Sequence, residues 1–147
     1  MKKILFLIPL LCLILAGCGA TEVGNPTSII LTGKIDGTTV DFDINKAILS
    51  DLTVEGIDED QNTYSDVVSE EGYFSVEVPV GHIYVFSVYQ DSTSLGDFSF
   101  EEDSMGRRGN RLFVFDPDSD EIDMGTCTYL DGQFFPENEP RRHMRGR

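Results

Sequence analysis

The run Asp116-Pro-Asp-Ser-Asp-Glu-Ile-Asp123 places carboxylates at every second position, the pattern by which a loop gathers oxygens around a hard cation. Ca2+ takes about six to eight oxygen ligands, and Asp116, Asp118 and Asp120 are the residues that would supply them. The run departs from an EF-hand at its sixth position, Glu121 instead of Gly, and at its twelfth, Cys127 instead of Glu. The same residues also read as a plain type I turn with Pro in second place, which needs no ion. Asp58-Glu-Asp-Gln-Asn62 is a weaker acidic candidate and reads as a solvated hairpin loop. His82 and Cys127 together fall short of the three or four ligands that zinc requires. A nucleophilic Cys127 would need a nearby base, and only His82 and His143 exist, so a small buried hydrophobe is the preferred reading. Arg107, Arg108 and Arg111 could meet a carboxylate or phosphate on a ligand, or neutralise neighbouring acids. The chain has no His-Glu-x-x-His, Gly-x-Ser-x-Gly or phosphate loop, so no enzyme is expected. Pairs such as Glu101-Glu102 resemble glycosidase carboxylates only as any chain with 26 acids must.

The elements that would carry these residues follow from composition and period. A chain of 147 residues, 40% hydrophobic, is the size of one domain with a real core. Its net charge of −15 argues against nucleic acid, whose binding rests on clustered Lys and Arg. Short runs rich in β-branched and aromatic residues predict strands at 29–35, 39–43, 52–57, 64–68, 72–78, 83–89, 111–115 and 121–130. Phe74, Val76 and Val78 alternate with Tyr73, Ser75 and Glu77, a half-buried strand. Pro79-Val80-Gly81 breaks the ladder, and Ile83 to Tyr89, apolar on both faces, reads as a central strand. Met124 and Cys127, three apart, can both face a core only if the strand bulges, which Gly125 would permit. Residues 90–110 read as a long loop with Phe98 and Phe100 as anchors. The expected fold class is all-β, a single antiparallel β-sandwich of about seven strands.

The N-terminus reads as an address. Lys2 and Lys3 precede the apolar run Ile4 to Ala16, a secretory leader too short to span a bilayer as a helix. The run ends in Leu15-Ala16-Gly17-Cys18, which resembles the lipobox of bacterial lipoproteins. The resemblance implies a diacylglyceryl group on Cys18, cleavage before it and acylation of the new amine. It also implies the outer membrane, because the Asp that retains such proteins at the inner membrane is replaced by Gly19. One acyl chain holds marginally, at about 0.8 kcal/mol per buried CH2, and two or three hold firmly. Loss of residues 1–17 leaves 9 basic residues against 26 acidic. Residues 18–140 then carry −21, and 141–147, with Arg141, Arg142, Arg145 and Arg147, carry +4. The expected organisation is a leader (1–17), a flexible tether (18–28), a sandwich (29–131) and a disordered C-terminal tail (132–147). That tail is also able to fold back on the acidic domain or touch anionic lipid.

Ser69-Glu-Glu-Gly-Tyr-Phe-Ser-Val-Glu-Val-Pro-Val-Gly81, followed by Ile83-Tyr-Val-Phe-Ser87, resembles the signature of carboxypeptidase-regulatory-like domains. Thr32 to Ile35 is similar to their opening strand, Ala47 to Val54 to a following strand, and Glu121 to Cys127 to their closing strand. The resemblance implies a prealbumin/transthyretin-like sandwich that acts as a non-catalytic module. The expected function is therefore an outer-membrane-anchored interaction or envelope-structural protein. A calcium- or carbohydrate-binding module is the alternative. The expected partners are the membrane, through lipid on Cys18, and an envelope protein or glycan; no cofactor is expected apart from Ca2+ as a candidate ion.

Overall fold

A computed structural model describes residues 27–39, 49–101, 107–114 and 120–140. These residues form eleven strands and one short 3-10 turn (Leu49–Asp51), so the all-β class expected from the sequence is the observed one. In chain order the strands are β1 (Ser28–Ile35), β2 (Leu52–Asp58), β3 (Thr63–Val67), β4 (Tyr73–Pro79), β5 (His82–Gln90) and β6 (Thr93–Phe98). They continue with β7 (Phe100–Glu101), β8 (Arg108–Gly109), β9 (Arg111–Val114), β10 (Glu121–Leu130) and β11 (Gln133–Pro136). The predicted strand at 39–43 falls outside the described residues except for Thr39, which lies in a turn.

Nine strands share one mixed sheet in the order β3-β2-β5-β6-β11-β10-β1-β4, with β9 beside β5; β7 and β8 form a separate small ladder. The sheet curls into a near-barrel of two halves, β3-β2-β5-β6 with β9 beside β5, and β11-β10-β1-β4. They join where β6 runs parallel to β11, through Asp97 opposite Gln133 and Phe98 opposite Phe134. At the other end the Asp66 carboxylate of β3 accepts the Ser75 N–H of β4 at 2.8 Å. The antiparallel expectation is corrected here, because β1 and β10 also run parallel. Alternation along one strand fixes its buried face but carries nothing about the direction of a neighbour brought in from far along the chain.

Each half turns alternate side chains inward. Ile29, Leu31 and Ile35 of β1, Phe74, Val76 and Val78 of β4, Leu52 and Val54 of β2, and Tyr84, Phe86 and Val88 of β5 are all buried. Phe98 sits among three rings: Phe74 at 5.9 Å, Phe134 at 5.6 Å and Phe100 at 6.4 Å between centroids. Phe98 and Phe100 are thus anchors as expected, but the long loop assigned to 90–110 is not observed over 93–98. Strand β6 occupies that stretch, turned back from β5 at Asp91, whose φ is 54°. Its sequence Thr93-Ser94-Leu95-Gly96-Asp97, with a single apolar side chain, hides it from an apolar-period search. Ser87 donating to Asp97 at 2.7 Å helps hold the pair. A side chain at Gly96 would collide with the carbonyl of Gly132, so this glycine lets β6 come up against the β10–β11 turn.

The sandwich also extends past residue 131. Asp131 and Gly132 have φ values of 51° and 80°, the two-residue hairpin turn that Asp-Gly favours, and β11 follows with Phe134 fully buried. Beyond it Glu137 N–H and Asn138 N–H donate to Thr126 and Met124 carbonyls, so the reading of 132–147 as a disordered tail is corrected over 132–138. Residues 141–147 lie outside the described residues. The bulge expected at Gly125 is present: φ is 64°, the register to β1 skips a residue there, and Met124 and Cys127 are both buried. Strand β5 is central, between β2 on one side and β6 and β9 on the other. Pro79-Val80-Gly81 carries the chain from one half to the other, since β4 pairs with β1 and not with β5.

Candidate functional site

Strand β1 buries its odd-numbered side and leaves Ile30, Thr32 and Lys34 on the outer face of the β4-β1-β10 half. Register places Thr32 between Ser75 of β4 and Asp123 of β10, and Lys34 between Tyr73 and Thr126. These residues, with the β3 edge and the segment after β11, line an open groove of 820 Å³. Four carboxylates, Asp66, Glu121, Asp123 and Glu137, face one lysine, Lys34, among the described lining residues. Tyr73 is 57% exposed, with the Lys34 ammonium 5.1 Å from its ring centre.

The carboxylates are oriented by neutral donors. Asp66 accepts from Ser75 N–H at 2.8 Å, Asp123 from Gly125 N–H at 2.8 Å and Glu137 from Thr126 N–H at 3.4 Å. The Thr32 hydroxyl donates to Glu121 at 2.9 Å. An ionised carboxylate has about four lone-pair sites, so single neutral donors at Asp66, Asp123 and Glu137 leave acceptor capacity toward the groove. The Gly125 bulge matters here, since it presents the N–H that aims Asp123. The arrangement is suited to receiving cationic groups with several donors.

The acidic hairpin at 58–62 is spent on its own structure. Asp58 is 3% exposed and accepts Asp60 N–H at 2.9 Å, Asn62 N–H at 2.8 Å and the Asn62 side-chain amide at 2.8 Å. Burial opposes its charge, but the donors from Asn62 and Asp60, with His82 nearby, outweigh it and hold the carboxyl below its ordinary value. Glu59 accepts Ile83 N–H at 2.8 Å, which with its own N–H holds it low as well. Its other oxygen lies 3.3 Å from His82 Nδ1, a buried atom without an aligned hydrogen bond. Partial burial and the adjoining Asp58 push the Tyr64 phenol up.

Cys127 is fully buried, and burial pushes its thiol up to about 12, so it remains a thiol at neutral pH. Arg108 meets Glu139 at 2.7 Å and the Ser99 carbonyl at 3.2 Å, and its guanidinium lies 5.0 Å from the Phe135 ring centre. For Arg108, neutralising a nearby acid is the reading observed. Of the calcium candidates, Asp120 is exposed and its carbonyl accepts Ile30 N–H at 2.9 Å. Asp116, Asp118, Cys18 and His143 lie outside the described residues. No group of three or more His, Cys, Asp or Glu suited to a metal ion occurs among the described residues.

The groove residues Asp66, Tyr73, Asp123 and Glu137 were not among the sequence candidates as a group. A partial signal existed in the outward alternation of Tyr73, Ser75 and Glu77, an exposed aromatic heading a polar row. Comparison with known proteins finds no matching family model and no matching curated protein.

Proposed function

We propose that the protein is a lipid-anchored, non-catalytic interaction module of the bacterial outer membrane, and that its partner-facing surface is the acidic groove on the β4-β1-β10 half. The observation that carries the anchor is Leu15-Ala16-Gly17-Cys18 at the end of a charged and then apolar leader. Acylation there would leave about ten residues between the lipid and β1, enough for an extended tether of roughly 30 Å. A binding role rather than a catalytic one is supported by the state of the candidate nucleophile and base: Cys127 is buried with a raised pKa, and His82 Nδ1 is buried beside Glu59. The resemblance to carboxypeptidase-regulatory-like domains supports the same reading.

Metabolic labelling with a fatty-acid analogue tests the anchor. Label on the wild type, and loss of both label and membrane association in Cys18→Ala, is the expected result. An unlabelled wild type, or a Cys18→Ala protein that stays with the membrane, overturns it. A photo-crosslinking residue at Ser75 tests the surface in intact cells and is expected to capture a defined envelope component, whereas the same residue at Asn110, outside the groove lining, is not.

A further inference from the structure

We infer that the groove is a docking site for this chain's own Arg-rich segment, residues 141–147, so that the surface is self-occupied until a stronger ligand displaces it. The inference rests on the groove being a docking surface, as proposed above, and is independent of the lipid anchor.

Three observations carry it. The first is charge: the groove opposes four carboxylates to one lysine, whereas 141–147 places Arg141, Arg142, Arg145 and Arg147 within seven residues with no acid among them. The guanidinium fork suits carboxylates that retain free acceptor sites, which is the state of Asp66, Asp123 and Glu137. The second is position: the chain enters the segment from the groove itself, since Glu137 and Asn138 line it and are tied by their N–H groups to Thr126 and Met124 of β10. The third is reach. From Pro140, seven extended residues span up to about 25 Å. Crossing from β10 over β1 and β4 to the β3 edge takes three strand spacings, roughly 15 Å. The exposed Tyr73 ring, with Lys34 already over it, adds an aromatic face on which a guanidinium can stack.

Docking would make the groove's availability depend on ionic strength, because attraction between exposed charges is screened beyond about 10 Å at 0.1 M salt and about 3 Å at 1 M. It would also give a basic partner or polyamine a competitor to displace.

Disulfide trapping in the full chain, purified in detergent, tests this. The pair Ser75→Cys with Met144→Cys reports groove contact. The pair Asn110→Cys with Met144→Cys is the reference, since Asn110 is exposed and close in sequence to Arg108, which meets Glu139. Single-cysteine variants report any bond to Cys18, so an unacylated Cys18 would be recognised separately from absence of docking. At low salt the groove pair is expected to close about tenfold faster than the reference, and most of that advantage should vanish near 1 M salt. Replacing Arg141, Arg142, Arg145 and Arg147 by Gln is expected to abolish it without altering the thermal midpoint of the sheet. Equal rates for the two pairs at low salt, or a groove preference indifferent to salt and to the four substitutions, would overturn the inference.

Discussion

At the β2–β3 hairpin, Asp58 is 3% exposed and receives three N–H donors, whereas in the groove Asp123 is exposed and receives one. Both carboxylates stand in acidic sequence, and nothing in their local composition separates them. What separates them is how many of their acceptor sites the fold itself consumes. The hairpin acid is used up in shaping a turn; the groove acid is aimed by a single backbone donor and keeps its remaining capacity outward. These two acidic clusters among the described residues therefore divide by hydrogen-bond accounting, and only the second has something left to offer a partner.

The comparison can be calibrated against the core. Phe98→Ala, which removes the ring shared by both halves, is expected to cost about 3–5 kcal/mol in denaturant unfolding. A loss near 1 kcal/mol or less, the common value for point substitutions, would mean that the halves do not depend on that joint. Asp58→Ala comes next. It leaves three N–H donors without their acceptor, so the melting temperature should fall and amide exchange at Asp60 and Asn62 should quicken, with Asp58→Asn intermediate. Unchanged exchange would remove the distinction between the two acids.

Acid sharpens the same contrast. Asp58 and Glu59 both lie below their ordinary values of 3.8 and 4.5. The stabilisation they contribute is complete above those values and is lost as pH falls through the lower values of the folded state. Protection of the Asn62 and Ile83 amides, taken relative to their intrinsic exchange rates at each pH, should therefore fall on acidification below about pH 4, the ordinary carboxylate range. The smallest effect is expected for Asp123→Asn, whose amide oxygen can still accept Gly125 N–H. Its stability should stay within about 0.5 kcal/mol of wild type. A larger loss would move Asp123 into the structural class of Asp58.

Strands β4 and β5 were legible because Phe74, Val76 and Val78 alternate cleanly and Pro79 to Gly81 punctuates the boundary. The bulge at Gly125 was legible because two apolar residues three apart cannot otherwise share a face. Strand β6 was not, since Thr93, Ser94 and Asp97 belong there through contacts with Ser87 and the β10–β11 turn rather than through their own polarity. The signal for β11 was present in Asp131-Gly132 followed by two phenylalanines, and reading a tail from 132 passed over it. The groove was illegible for a different reason. Its residues come from β1, β3, β4, β10 and the segment after β11, and two of these strands meet in a parallel pairing that no local pattern announces.

That pairing joins Ile30 to Glu121, and the joint between the halves waits for Phe134. Contacts so distant along the chain slow folding, because loop closure must precede any gain from the contact. As the polypeptide is made from its N-terminus, β1 has no β10 to lie against and Phe98 has no Phe134 until nearly the whole domain has emerged. The unfinished barrel thus stays open during synthesis, and its two halves close on each other only once the last strands have emerged.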